Sequence, residues 1–288
     1  MTTEVVLTGT GVPHPRPGRA GAGTLVRCGG VALQFDAGRA TVLRLMEAGT
    51  APHALSALFV THVHSDHVVD LADVAMTRWI QQQLVATGPL VVVAPEGGAA
   101  RFVERMLDPY DEDLALRVAH VGAEPIRVDL RPFAVPATPE VVWTSDDGTV
   151  RVLAVAVHHE PVPDAVAYRV ETPEGVVVVS GDTRVCQEVE DLSAGADLLV
   201  HEACRATALA PLIAGTTFET IFSYHADTVA LGAMAERAAV PHVLLTHLIP
   251  PPDRPEDADA FAQDLRDGGY AGRITVGEDL VTVVLDRS

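Results

Sequence analysis

Lysine is absent from this 288-residue chain: all twenty basic residues are arginine, and they face 39 acidic residues for a formal net charge of −19. A chain without lysine has no Schiff-base amine and no lysine-bearing phosphate loop. The shortage of positive charge argues against a face that wraps a phosphate backbone and against adhesion to an anionic membrane surface. Cysteine is nearly as scarce. Cys28, Cys186 and Cys204 lie far apart with no CxxC pair, which excludes a thiolate zinc cluster and a disulfide framework and fits a reducing cytosol. No apolar run approaches the length of a membrane span. The opening MTTEVVLTG has neither the positive region nor the continuous apolar stretch of a signal peptide. These absences lead us to expect a soluble, acidic, cytoplasmic protein with no membrane partner.

What is present is a chain that is 48% hydrophobic and Val-rich. Apolar runs such as EVVLT, TLVRC, VALQFD, ALFVTH, LVVVAP, VLAVAVHH, AVAYRVE, GVVVVSGD, DLLVHE, HVLLTH, RITV and LVTVVLD have the length and β-branched content of buried strands. Helical patterns fall at Ala40–Ala48, Val69–Val85, Ala99–Leu107, Thr228–Ala239 and Pro255–Asp267, the last stopped by Gly268–Gly269. Strands and helices alternate throughout, which predicts an α/β layered domain. The 23 glycines and 20 prolines are spread over many turns, densest from Gly9 to Gly23, and pool in no hinge. A single domain over residues 1–288 is the expectation.

Twelve histidines demand a reason. The densest group is THVHSDH, Thr61 to His67, directly after the apolar run ALFV. It supplies His62, His64, Asp66 and His67, whose imidazole nitrogens and carboxylate oxygens suit zinc and neighbouring divalent metals. A short turn after a strand can send His62 and His64 toward one metal and Asp66 and His67 toward a second. So dense a cluster repels itself when protonated unless something binds it. Four further apolar runs end in ligand-type residues, at His158–His159, Asp182, His201–Glu202 and His247. A lone histidine at a strand end is commonly an ordinary hydrogen-bonded residue, but strand ends that share one sheet edge converge.

Taken in order, GTG near the start, FDAG (Phe35–Gly38), THVHSDH, Tyr168–Arg169, SGDT (Ser180–Thr183), HEA (His201–Ala203) and LTH (Leu245–His247) resemble the metallo-β-lactamase superfamily. Among its branches the chain is most similar to the ribonuclease Z, phosphodiesterase and arylsulfatase group, over about Val5 to Val284. The resemblance implies a four-layer αββα sandwich with two divalent metals at one edge of the paired sheets. His62, His64 and a histidine of HHEPV would hold the first metal, the HxP spacing selecting His159 over His158. Asp66, His67 and His247 would hold the second, with Asp182 bridging. His225, in SYHAD, matches a histidine that contacts the scissile group, and Glu202 matches the carboxylate that orients it. His201 would serve a structural hydrogen bond. His14, His53, His120 and His242 have no spacing argument, although His14 lies in the Gly9–Gly23 loop.

The implied activity is that of a dinuclear metal-dependent hydrolase, in which a metal-bound hydroxide fixed by Asp66 attacks phosphorus or sulfur and His225 assists the leaving oxygen. Zinc is the default ion, with manganese and iron as alternatives. Relatives of the ribonuclease Z type carry an extended basic arm after the YR strand. Here only a TPEG turn separates that strand from SGDT. Together with the charge of −19, this favours a small-molecule ester, a phosphodiester or aryl sulfate, and no nucleic acid. A lactonase, thioesterase or β-lactamase on the same scaffold is the alternative. A tRNA 3′-processing endonuclease and a non-catalytic metal-binding protein rank behind it. Pocket walls are expected from Gly9–Gly23, Thr77–Trp79, Thr138–Thr144 and Ala208–Tyr224, the last as a lid. Phe218, Phe222, Tyr224, Trp79 and Trp143 are candidates for stacking, and Arg16, Arg19 and Arg184 for an anionic group. The Val69–Val85 helix would pack either a homodimer or the sheet.

Overall fold

A computed structural model describes residues 2–286. The Val-rich runs form two mixed, seven-stranded sheets. The first takes β1 (Thr3–Gly9), β2 (Gly23–Cys28), β3 (Val31–Phe35), β4 (Ala57–Phe59), β5 (Leu90–Pro95) and β6 (Val128–Phe133). The second takes β7 (Glu140–Thr144), β8 (Arg151–Ala156), β9 (Val166–Thr172), β10 (Gly175–Val179), β11 (Leu198–Cys204), β12 (His242–Ile249) and β13 (Arg273–Val276). β14 (Thr282–Leu285) returns to the edge of the first sheet beside β1. Each sheet is antiparallel on one side and parallel on the other. The parallel parts run β3 to β6 and β10 to β13.

Alternation along the strands separates the layers, because successive side chains leave a strand on opposite faces. In β4, Ala57 and Phe59 enter the core between the sheets while Leu58 faces outward; in β11, Leu198 and Val200 point inward and Leu199 outward. Phe35, Phe59 and Tyr168 pack at the centre, with Phe35 and Phe59 stacked at 4.8 Å and Tyr168 5.4 Å from each. The outer face of the first sheet is covered by α1 (Thr41–Glu47), α3 (Leu71–Gln81, preceded by the single turn α2, Ser65–Val68) and α4 (Gly98–Arg105). After α5 (Asp111–Val121), the second sheet is covered by α6 (Gln187–Leu192), α9 (Thr228–Arg237) and α10 (Pro255–Asp267). This is the expected αββα sandwich.

The helical run placed at 69–85 is shorter and begins earlier, in two pieces. Leu71, Val74, Ala75 and Trp79 face the first sheet, so the helix covers the sheet, and Val69 and Ile80 are left exposed. Four helices had no legible pattern. α5 buries only Leu114, too little to write an apolar stripe into the sequence. α6 is a short connector. α7 (Ala206–Ile213) and α8 (Thr217–Ser223) form a hairpin in a stretch that is apolar without a period, and no residue of α7 is buried. Among the described residues no helix is long and apolar enough to cross a membrane.

Candidate metal centre

Five strand ends of the two sheets meet at one edge, and hydrogen bonds fix the loop that carries THVHSDH there. The Tyr168 hydroxyl donates to the carbonyl of Val60 at 2.7 Å, and the Val166 amide donates to the Thr61 carbonyl at 3.0 Å, tying β9 to the segment after β4. The amide and hydroxyl of Thr61 donate to the two oxygens of Asp36, at 2.8 and 2.7 Å. Gly181, just before Asp182, has φ +60°, and a Cβ there would lie 2.8 Å from the Cβ of Thr61. Only glycine lets the two sheets approach so closely at this point. His247 sits in a bulge of β12: Glu202 pairs with Thr246 and Ala203 with Leu248, and His247 between them has φ +43°. A bulge re-aims the extra side chain, here into the site.

The side chains form two adjoining clusters. His62, His64, His159 and Asp182 place their ligand atoms within 4.8 Å of one another, and so do Asp66, His67 and His247. His64 Nδ1 lies 3.0 Å from His62 Nε2 and 3.1 Å from His159 Nε2. Tetrahedral ligands at about 2.0–2.1 Å from a zinc-sized ion stand roughly 3.3 Å apart, so three imidazoles in this arrangement suit one such ion. Asp182 belongs to both clusters: Oδ2 is 3.8 Å from His159 Nε2 and 3.4 Å from His247 Nε2, and Oδ1 is 3.4 Å from His67 Nε2. His247 Nε2 is also 3.2 Å from Asp66 Oδ2. His67 Nε2 and Asp182 Oδ1 are buried without a hydrogen-bond partner, a costly arrangement that a cation between them would relieve. The donor set fits two divalent ions.

Electrostatics agree with the geometry. Burial pushes His62, His64 and His159 below the ordinary histidine value, and neighbouring imidazoles add to the effect at each; the neutral imidazole is the ligand form. Burial also acts to lower His67, yet Asp182, Asp36 and Asp66 raise it well above its usual value. Those carboxylates therefore favour positive charge at that spot. Burial would raise Asp182, but His247 and His67 hold it well below the usual carboxylate range.

Next to the clusters, His225 Nδ1 lies 2.9 Å from Glu202 Oε1, which also accepts the amide of Thr183 at 2.9 Å. Burial would lower His225, but the adjacent Glu202 carboxylate raises it to about 9. His225, His64, Asp66, Asp182 and His247 open onto a cavity of about 340 Å³ whose other walls are largely apolar.

The remaining sequence candidates divide clearly. His158 turns away to Glu188, Nε2 to Oε1 3.1 Å, and is partly exposed, so His159 alone of that pair enters the cage. His201 Nδ1 donates to the Glu202 carbonyl at 2.7 Å. His14 lines the cavity with Val12 and Pro13, as do Phe218, Phe222 and Tyr224. The other expected walls lie elsewhere. Trp79 is buried against the first sheet and donates Nε1 to the Glu124 carbonyl at 2.9 Å, while Trp143 packs edge-on against Phe59 at 6.0 Å between the sheets. The arginines are engaged: Arg16 with Asp253, Arg184 with Glu160, and Arg19 with Thr10 and the Gly277 carbonyl. Sequence reasoning missed Asp36 as a site residue. Besides both donors of Thr61 it accepts Nδ1 of His67 at 2.7 Å.

Fold and site define a hydrolase of the metal-dependent β-lactamase type. Residues 35–248 match the Beta-lactamase superfamily domain, and the chain belongs to that superfamily. A protein named Ribonuclease Z from Mycobacterium sp. (strain KMS) is 38% identical over 281 residues, covering 96% of this chain and 94% of that one. Another of that name, from Mycolicibacterium paratuberculosis, is 37% identical over 98% of both chains. The metallo-beta-lactamase fold protein YhfI from Bacillus subtilis shares the fold, with a TM-score of 0.74 at 19% identity over 99% of this chain and 100% of that one. Human tRNase Z, short form, gives 0.71 at 19% identity, over 97% and 98% of the two chains.

These relatives overturn the expectation of a small-molecule ester and of no nucleic acid. Proteins that match this chain nearly end to end carry the name of a ribonuclease. The missing arm therefore does not separate the chain from them, and a net charge summed over the whole surface says little about the local field at one cleft.

Proposed function

We propose that this protein is a ribonuclease Z-type phosphodiesterase, a metal-dependent endonuclease that hydrolyses one RNA bond at the 3′ side of precursor tRNA. The observation that carries this reading is the identity of 35–38% to proteins named Ribonuclease Z along nearly the whole of both chains. In this reading His62, His64 and His159 would hold one ion, Asp66, His67 and His247 would hold the other, and Asp182, which lies between the two clusters, would serve both. Zinc is the default because the donors are mainly imidazole with few carboxylates. When bound, the metal pair supplies Lewis acidity and lowers the pKa of water.

The chain's own groups do the rest. An oxygen of Asp66 accepts a hydrogen bond from the attacking water, aims it at phosphorus and takes up its proton as the new P–O bond forms. Glu202 takes up Nδ1 of His225, which leaves Nε2 to face the substrate. The Glu202 carboxylate on Nδ1 favours the protonated imidazole, and His225 donates its proton from Nε2 to the departing oxygen as the P–O bond breaks. The buried Glu202 carboxylate stabilises the imidazolium before transfer and fixes its tautomer.

The test is a precursor tRNA transcript with a 3′ trailer, incubated with metal-loaded protein. We expect one endonucleolytic cut that a chelator abolishes, and much weaker cutting by Asp182→Ala. Intact transcript in the presence of fully metal-loaded protein overturns the reading.

A further inference from the structure

The cavity beside the cage has two halves of different chemistry. One half is the cage itself with His225. The other is built from Phe218, Ile221 and Phe222 of α8, with Val12 and the Pro250–Pro251 turn after β12 opposite. We infer that this second half is a nucleobase subsite, in which Phe218 stacks on the base of the nucleotide whose oxygen departs. The inference rests on the nuclease reading and adds to it where, and by what force, the substrate is gripped.

Three observations lead there. First, none of the residues lining the cavity is an arginine, and its only carboxylates, Asp66 and Asp182, belong to the metal clusters. Away from the cage and His225, the wall's ionisable side chains are His14 and Tyr224 alone, so this half suits a flat, uncharged group. Second, Phe218 and Phe222 form an edge-to-face pair at 6.0 Å, with Phe222 buried and Phe218 47% exposed at the cavity rim. The inner ring fixes the outer one while the outer ring keeps a surface open, which is how aromatic side chains serve as stacking platforms for unpaired bases. Third, Pro13, Pro250 and Pro251 of the facing wall carry no backbone N–H. The side-chain donors left beside the subsite are His14 and Tyr224, so the grip comes chiefly from the faces of a base. His225 follows directly on α8 and stands in the same wall, which places the subsite on the side of the oxygen it protonates. With no arginine among the residues that line this cavity, stacking supplies grip there that counterion release does not.

The experiment compares kcat/KM on a short trailer-bearing RNA, intact or made abasic in turn at each of the two nucleotides flanking the cleaved bond. For the wild type, removing the base on the departing side lowers kcat/KM about tenfold, the scale of one base–aromatic stack. Phe218→Ala and Phe218→Leu lower it to the same degree on intact RNA and change it little on that abasic substrate, while Phe218→Tyr retains wild-type values. The losses persist at high salt, because stacking releases no counterions. Equal losses on intact and abasic RNA, or no loss in either Phe218 variant, overturn the subsite while leaving the nuclease reading in place. A wild type that cuts no RNA overturns that reading and takes the subsite with it. Since Phe218 is half exposed and its leucine variant keeps apolar bulk, folding of at least one variant is secured.

Discussion

Asp36 accepts a hydrogen bond from Nδ1 of His67 at 2.7 Å while its two oxygens also hold the amide and hydroxyl of Thr61. One carboxylate thus fixes both the first residue and the last histidine of the segment that carries four of the proposed ligands. With Nδ1 bound to Asp36, His67 presents Nε2 to the site in a fixed orientation. Carboxylates that orient metal-binding histidines in this way contribute about 10–100-fold to metal affinity.

Asp36→Asn is therefore expected to weaken metal binding by about 10–100-fold, measured by competition with a chromophoric chelator. The amide retains the volume and an acceptor for Thr61 but loses the charge that favours a cation beside His67. A variant with lowered thermal stability and unchanged metal affinity would show that Asp36 serves only the fold.

The Glu202–His225 pair leads to a second prediction. Glu202→Gln removes the charge that raises His225 and leaves the shape of the contact nearly unchanged. Loss of a general acid costs about 10²–10⁴-fold in rate, and we expect kcat to fall by about 10²-fold with little change in KM. The decisive readout is leaving-group dependence. Substrates with an alcohol leaving group need the proton and lose most, whereas a nitrophenolate, which departs unaided, loses little. Equal losses on both would place Glu202 in a structural role.

Much of this arrangement is legible in the sequence because its ligands are local or terminate recognisable strands. His62, His64, Asp66 and His67 fall within six residues just after the run ALFV, and Asp182 stands three residues beyond the four valines of β10. Length and β-branched content mark those runs as strands, but a run that is apolar at every position does not reveal that Phe59 turns inward and Leu58 outward. What escapes the sequence depends on backbone geometry or distant pairing. Asp36 acts through φ +57° and a partner 31 positions away. The LTH motif points to His247, but the bulge that aims it into the site is defined only by the pairing with β11. Trp79 and Trp143 had the composition of a pocket wall but are consumed by packing. The substrate class was misjudged for a related reason: charge was counted along the chain, whereas the cleft is defined by which few side chains the fold brings to it.

A third prediction concerns the loop between β1 and β2, which lays Val12, Pro13 and His14 against the cavity. Asp279, from the segment before β14, holds it at both ends: Oδ1 accepts the amide and hydroxyl of Thr10 at 3.0 and 2.8 Å, and Oδ2 accepts the Ala20 amide at 2.6 Å and Arg44 Nε at 3.0 Å. Asp279→Ala leaves those donors unmatched and the loop loosely held. Charge-assisted bonds of this kind are worth about 1.5–3 kcal/mol each, so a clear drop in thermal stability is expected. Because the loop lines substrate space and supplies no proposed ligand, KM should rise several-fold with metal content unchanged. A fall in bound metal without a change in KM would refute this assignment.

The last prediction is a pH dependence remote from the metal cage. His242 opens β12, buried, with Nε2 2.9 Å from Thr275 Oγ1. Burial, reinforced by the nearby Arg273 charge, pushes it down to about 4, against about 6.5 in an unfolded chain. The folded protein thus keeps His242 neutral where the unfolded chain would bind a proton. The stabilisation is complete above about pH 6.5, declines as the pH falls, and is gone near the folded value, a loss of up to about 3 kcal/mol. His242→Gln retains an amide for Thr275 and does not titrate. With both proteins metal-free, denaturant midpoints taken between about pH 7.5 and 4.5 should show the wild type losing more stability than the variant, in the direction that linkage requires. Parallel losses across that range would mean that His242 is protonated in the folded protein as readily as in the unfolded one.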